Sequence, residues 1–228
     1  MLILAMTLVR YSMGSSDLKK LNAVVIADND YKEYDKLFTL FTKELGKIRA
    51  YAFNIRREHS KKIGLLRLFS FCEVDLKSSG DSYSLVDAKI VDSFEGLTRD
   101  YETMCYASYF VELVDYFSFE NIEGDDVLRL LYYTFKALER EAIDKKLIKS
   151  VFELKLLKYQ GEYITSDKLH IDNATLRYTW DYVINAESKD LYKFKLTDEM
   201  YRMFRDEVDR EFKLRVSKKF KSLDKLSL

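Results

Sequence analysis

The hydrophobic period of this chain changes once. Between about Leu21 and Phe94 apolar residues recur at every second position in short runs, and from Thr98 onward they recur at helical spacing. The fold class expected is therefore α+β, with an N-terminal β unit followed by a C-terminal α-helical domain. Strand-like runs cover residues 23–27, 35–42, 47–53, 65–71 and 84–90, and turns are supplied by Gly46 and Ser78-Ser79-Gly80-Asp81. Five short strands in about seventy residues suggest a small closed barrel, and an exposed basic and aromatic face makes an OB-fold barrel the natural form. A generic antiparallel sandwich is the alternative.

The helical part opens on two adjoining stripes. Met104, Ala107, Val111 and Val114 form one, and Tyr106, Phe110, Leu113 and Phe117 the other, so the helix is expected to lie buried between neighbours. Further helices are expected over residues 125–140, 144–159 with Gly161 as its C-terminal cap, and 197–216 entered through Thr197 or Asp198. Residues 163–185 are ambiguous. The domain reading is an extension over 1–20, an OB-fold nucleic-acid-binding domain over 21–96 and a helical domain over 97–228.

Charge is balanced over the whole chain, with 38 basic and 38 acidic side chains, but not along it. From Lys43 to Arg67 eight cations meet only two carboxylates, Glu44 and Glu58. Read with period two, Ile48, Ala50 and Ala52 point to a core, while Lys47, Arg49, Tyr51 and Phe53 point away from it. The run 65–71 repeats the pattern, with Leu66 and Leu68 inward and Arg67, Phe69 and Phe71 outward. The connector adds Arg56, Arg57, Lys61 and Lys62. Rings beside cations on one sheet face can stack bases while the charges hold phosphates. The competing reading is a solvated strand face with a lysine-rich loop guarding a sheet edge.

A hydrophobic content of 47%, with 14% aromatic residues, excludes a mainly disordered chain. Cys72 and Cys105 lie on apolar runs without CxxC spacing, which reads as buried free thiols in a reducing compartment. The apolar start, residues 1–9, is far shorter than a membrane span, and no membrane association is expected. It reads as an irregular extension rather than a signal peptide, with Met13 a candidate natural start.

Chemical motifs are few. His59 and His170 stand far from the cysteines and from each other, so no metal site is expected. No GxGxxG, GxxxxGK[ST], HExxH or GxSxG string occurs. Acidic pairs such as Asp125-Asp126 read as helix starts, and the metal-dependent nuclease they would allow is the weakest reading. No catalytic residue and no cofactor is expected. Glu112 and Asp115 interrupt an apolar run and read either as partners of a basic residue or, the commoner outcome, as its solvent edge. The basic tail, with Arg210, Lys213, Arg215, Lys218, Lys219, Lys221 and Lys225, reads as a solvated helix end or an extension of the nucleic-acid path.

Several strings in fixed order carry a likeness. They are residues 30–37, Glu44-Leu45-Gly46-Lys47-Ile48, Arg56-Arg57 with Ser60-Lys61 and Gly64, Ala88 with residues 93–97, residues 106–115, residues 152–157 and Lys221-Ser222-Leu223. In this order and spacing the chain resembles the bacterial RecO family of recombination mediators over about residues 21–226, weakly between Gly161 and Thr197. The resemblance implies an OB barrel with a helical domain, binding of single- and double-stranded DNA, and strand annealing without catalysis. It also implies RecR and the single-stranded-DNA-binding protein as partners, and a cytoplasmic, nucleoid-associated location.

Three departures from the family pattern lie near the expected path. Phe53-Asn54 stands where the family usually has Lys-Gly, Lys32 replaces a glycine after Tyr31, and Glu58 replaces a loop proline. Many members also carry a four-cysteine zinc site after the position of Tyr163, yet residues 166–172 contain no cysteine. The resemblance then implies loss of that metal. The alternative function is a non-catalytic interaction scaffold whose helical groove binds an acidic partner peptide.

Overall fold

The computed structural model describes residues 18–56, 66–80, 82–162, 164–169, 171–224 and 226. Met1, Met13, Arg57, His59, Lys61, Lys62, Tyr163, His170 and Lys225, to which expectations were attached, lie outside them. Five strands, β1 (Leu18–Tyr31), β2 (Asp35–Thr42), β3 (Gly46–Ala52), β4 (Phe71–Ser79) and β5 (Ser82–Asp92), close a barrel in the order β1-β2-β3-β5-β4. Only the β3–β5 pair is parallel. This is the OB-like barrel, followed by helices α1 (Tyr101–Phe117), α2 (Asp125–Glu139), α3 (Lys145–Tyr159), α4 (Ala174–Asn185), α5 (Asp198–Arg215) and α6 (Lys221–Asp224).

Period two in β1 divides its side chains between two cores. Leu21, Ala23 and Val25 join Phe38, Leu40, Ile48, Ala50, Val74 and Leu76 inside the barrel. Val24 and Ile26 join Phe41, Phe69 and the helical core on the other side. A strand buried on both faces shows a continuous apolar run, as Ala23-Val24-Val25-Ile26 does. The helices roof that part of the barrel wall.

Side-chain oxygens cap four helices where the sequence turns polar. Asp100 accepts from the Thr103 N–H, Asp144 from Lys146, Asn173 from Leu176 and Thr197 from Met200. Gly161 follows α3 with φ of 83°. α1 is buried on both stripes as expected, except that Met104 is 37% exposed and Phe117 is half-buried. Cys72 and Cys105 are free and buried.

The run 65–71 departs from its expected strand. Residues 66–70 form a turn instead: Leu68 is exposed, Phe69 is 1% exposed with φ of 75°, and only Phe71 enters a strand. Phe69 packs edge-on to Phe135 of α2 at 5.6 Å, and Phe71 meets Tyr132 at 5.1 Å. Both rings face the helices, because burial in the second core outweighs exposure on a barrel face. The expected alternation is therefore broken: Leu66 enters the barrel core, Leu68 faces solvent and Phe69 enters the helical core.

Barrel and helices are sewn together at the β2–β3 turn. The Lys47 N–H donates to the Phe119 carbonyl (3.2 Å), Asn121 N–H to Leu45 (2.9 Å) and Gly124 N–H to Lys43 (2.7 Å), and Gly46 bridges Glu120. Gly46 has φ of 61°, and a Cβ there would fall 2.3 Å from the Phe119 carbonyl oxygen. Only glycine fits this approach. A second seam ties Lys136 of α2 to Asp92 of β5, while the Gly96 N–H donates to Glu139 at 3.1 Å.

Candidate nucleic-acid interface

The outward face of β3 carries Lys47, Arg49 and Tyr51, alternating with the fully buried Ile48, Ala50 and Ala52. Arg49 is exposed, lies opposite Thr39 of β2, and has no ion-pair partner among the described residues. Tyr51 stands at the centre of a short ring ladder. Its centroid is 6.2 Å from Phe53, nearly parallel at 12°, and 5.0 Å from Tyr31, edge-on at 61°. Phe53 is 53% exposed and offers an open π face. Lys32 Nζ lies 5.2 Å above the Tyr31 ring.

Two of the expected cations already have partners. Lys47 Nζ is 3.1 Å from Asp115 Oδ1, and Arg56 is 3.1 Å from Asp30 Oδ2. Asp115 is thus a barrel contact rather than a bare solvent edge, and Glu112 accepts from the Ser222 N–H at 3.4 Å. Arg67 is exposed but apart from this group. Its turn is pinned to β1 by the Phe69 N–H donating to Val25, and β2 stands between β1 and β3. The structure therefore gathers Lys47, Arg49, Tyr51 and Phe53 on one side; Arg56 lies beyond the end of β3, tied to Asp30 and to the Tyr34 carbonyl, and Arg67 is apart. Arg57, Lys61 and Lys62 lie outside the described residues.

Tyr31 and Lys32 belong to the group although the sequence reading passed over them. Period two from Val24 and Ile26 would put Asp28 and Asp30 on that face, but a register shift between Val25 and Ala27 brings Asn29 and Tyr31 there instead, so the strand pattern gave no signal. Lys32 and Asn54 both take φ of 55°. These are the two positions at which the resemblance placed glycine, so the left-handed turn is kept while its usual residue is replaced.

Two cations of the basic tail are ion-paired, while Lys213, Lys218, Lys219 and Lys221 have no ion-pair partner among the described residues. Arg210 pairs with Glu207, and Arg215 with Glu162 at 3.0 Å and Glu211 at 2.6 Å. Lys218 lies 5.0 Å above Tyr116.

The helical half holds a groove of about 790 Å³ between the end of α2, the start of α3 and the segment leading to α5. Tyr132, Tyr133, Tyr192, Phe194, Leu196 and Tyr201 line it with rings and apolar carbon. Five cations, Lys136, Arg140, Lys189, Lys193 and Lys195, share its rim with only Asp144 and Asp198. Among the described residues no group of three or more histidines, cysteines or carboxylates is placed to hold a metal ion, and no helix is long and apolar enough to cross a membrane.

Comparison with known proteins places both halves. Residues 16–94 match the family model for the N terminal of recombination protein O, and residues 98–221 match that for its C terminal. Proteins named DNA repair protein RecO from Clostridium novyi and Caldicellulosiruptor bescii are 36% and 31% identical over 149 and 147 residues, or 65% and 64% of this chain. These alignments span 58% and 60% of the relatives' own lengths. A namesake from Listeria monocytogenes is 24% identical over 82% of this chain. With its barrel and its helices each matched in the right order, this chain belongs to the RecO family.

Proposed function

We propose that this protein is a non-catalytic DNA-binding recombination mediator of DNA repair, whose barrel holds DNA and promotes strand annealing and recombinase loading. The observation that carries the reading is Arg49, exposed and without an ion-pair partner among the described residues, beside the Tyr31–Tyr51–Phe53 ladder on one barrel face. In this reading the phosphates fall to Lys47, Arg49 and Arg56, with Arg57, Lys61 and Lys62 as further cations and Arg67 left aside, while Tyr51 and Phe53 stack unpaired bases. Cations that neutralise two strands at once lower their mutual repulsion, so complementary strands pair without ATP. Family membership supports RecR and the single-stranded-DNA-binding protein as partners, and a cytoplasmic, nucleoid-associated location.

Salt dependence and annealing test this together. If about six phosphates are engaged, affinity falls roughly 10³-fold between 50 and 200 mM salt. A salt-insensitive curve, or purified protein that does not accelerate annealing of complementary oligonucleotides, would remove the proposal.

The cation-rimmed aromatic groove of the helical half supports a second binding role, for an acidic partner peptide with apolar side chains. Rings take the apolar carbon, and Arg140 and Lys195, unpaired among the described residues, meet the carboxylates. Competition separates the two roles. An acidic peptide that binds while DNA stays bound has its own site; one that displaces DNA completely shares the barrel face.

A further inference from the structure

The loop between α1 and α2 is held by its backbone and turns two large apolar side chains to solvent. Phe119 is 63% exposed and Ile122 58%, although the carbonyl of Phe119 and the N–H groups of Asn121 and Gly124 are all bonded to the β2–β3 turn. Asn121 sits at φ of 61°, which reverses the chain between the two side chains. An ordered loop that keeps a phenylalanine and an isoleucine in water gives up roughly 1.5–3 kcal/mol of burial for each. Such exposure on a fixed scaffold marks an interaction surface.

Beside the pair runs a groove of about 500 Å³, floored by Phe41, Phe117, Val127 and Tyr159. Its charged lining is acidic throughout: Glu123, Asp125 and Asp126. Asp125 is answered by Lys43 at 3.8 Å and Arg129 at 3.0 Å. Asp125 and Asp126 also complement the positive end of α2, which accounts for their presence there. Glu120 and Glu123 lie outside the helix, and neither they nor Asp126 have an ion-pair partner among the described residues. The sign is opposite to that of the β3 face and of the other groove, so carboxylates here repel both DNA and an acidic peptide.

We infer that this apolar, acid-lined groove at the barrel–helix junction docks a protein segment carrying a lysine or arginine beside a large apolar side chain. The apolar group enters between Phe119, Ile122 and Val127, and the cation meets Glu123 and Asp126. The site is separate from the DNA-binding proposal and stands whether or not that proposal holds. An occupant here leaves Arg49 and the ring ladder open.

The full-length chain is titrated by fluorescence anisotropy with a labelled Gly-Ser peptide carrying Lys-Leu-Trp-Arg at its centre, and with its charge-reversed form carrying Glu-Leu-Trp-Glu. The cationic peptide is expected to bind at least about tenfold more tightly. Phe119→Ser and Ile122→Ser, whose side chains face water, should each weaken it about tenfold with the thermal melt unchanged. Glu123→Lys should weaken it too, and Arg49→Ala should not. Equal binding of the two peptides, no binding of either, or indifference to all three groove substitutions would overturn the inference. So would a concentration-dependent dimer, seen by sedimentation and abolished by the same substitutions, since a second copy would then own the groove.

Discussion

Lys47 of β3 reaches across to Asp115 of α1, donating from one ammonium group to the carboxylate at 3.1 Å and to the backbone carbonyl at 2.7 Å. One side chain thereby belongs both to the junction and to the face proposed for DNA. Removing the carboxylate frees it. Asp115→Asn should raise affinity for single-stranded DNA by roughly twofold to fivefold at low salt, while an exposed pair of this kind costs less than about 1 kcal/mol of stability to break. Anisotropy with a labelled oligonucleotide measures the first and urea unfolding the second; weaker DNA binding would place the DNA away from Lys47.

Arg49→Ala should lower affinity for all sequences alike and flatten the log–log salt dependence by about 0.7–0.9, the contribution of one phosphate. Phe53→Ala should leave that slope unchanged and weaken single-stranded binding by about 1–3 kcal/mol, with little effect on duplex DNA. The same response to both substitutions would argue against separate charge and stacking roles.

Lys32 and Asn54 hold left-handed turns flanking the ring ladder. Lys32→Gly should stabilise the fold by roughly 0.5–1 kcal/mol, because a lysine at positive φ carries a steric penalty that glycine lacks. Asn54→Gly should gain less, since asparagine tolerates this region. Denaturant midpoints compare the two, and a loss of stability in Lys32→Gly would show that the Lys32–Tyr31 contact outweighs the strain.

Gly46→Ala should cost about 2–4 kcal/mol, combining positive φ with a Cβ driven into the Phe119 carbonyl. Gly80 is the internal control. It has φ of 62° but nothing within 4 Å of an added Cβ, so Gly80→Ala should cost only about 1 kcal/mol. Equal losses would mean that backbone strain alone, and not the junction, explains Gly46.

Lys155 is 3% exposed and donates to the carbonyls of Ile184 and Ala186 at 2.6 Å, closing the C-terminal end of α4. Desolvation, with Lys158 nearby, pulls its pKa down to about 8. The unfolded chain, with lysine at its ordinary value of about 10.4, then binds more protons than the folded one above pH 8. Stability from this group therefore rises as pH climbs from about 8 toward 10 and is lost as pH falls back through 8. The difference in unfolding free energy between the wild type and Lys155→Met should grow over that window; a flat difference would mean that the ammonium is fully stabilised in place.

Much of this was legible because local patterns decided it. Ile48, Ala50 and Ala52 alternate strictly with polar neighbours, and β3 has one buried face, so period two could be read directly. Asp144 and Thr197 announced helix starts through their own side chains. The run 65–71 misled because Phe69 and Phe71 answer to Phe135 and Tyr132, more than sixty residues away in sequence, and alternation cannot say which core it feeds. Arg67 went with it, kept on the β1 side by the turn that buries Phe69. The pairing of Lys47 with Asp115 was hidden for the same reason, since the pair joins residues 68 positions apart.

Because the β2–β3 turn and the loop after α1 share backbone bonds, with Asp92 and Lys136 fastened nearby, no slack tether separates the two halves. Molecules held on the barrel face and along the helices would ride at one constant spacing. The molecule then works as a spacer bar rather than a leash, and its reach is fixed by geometry when it folds.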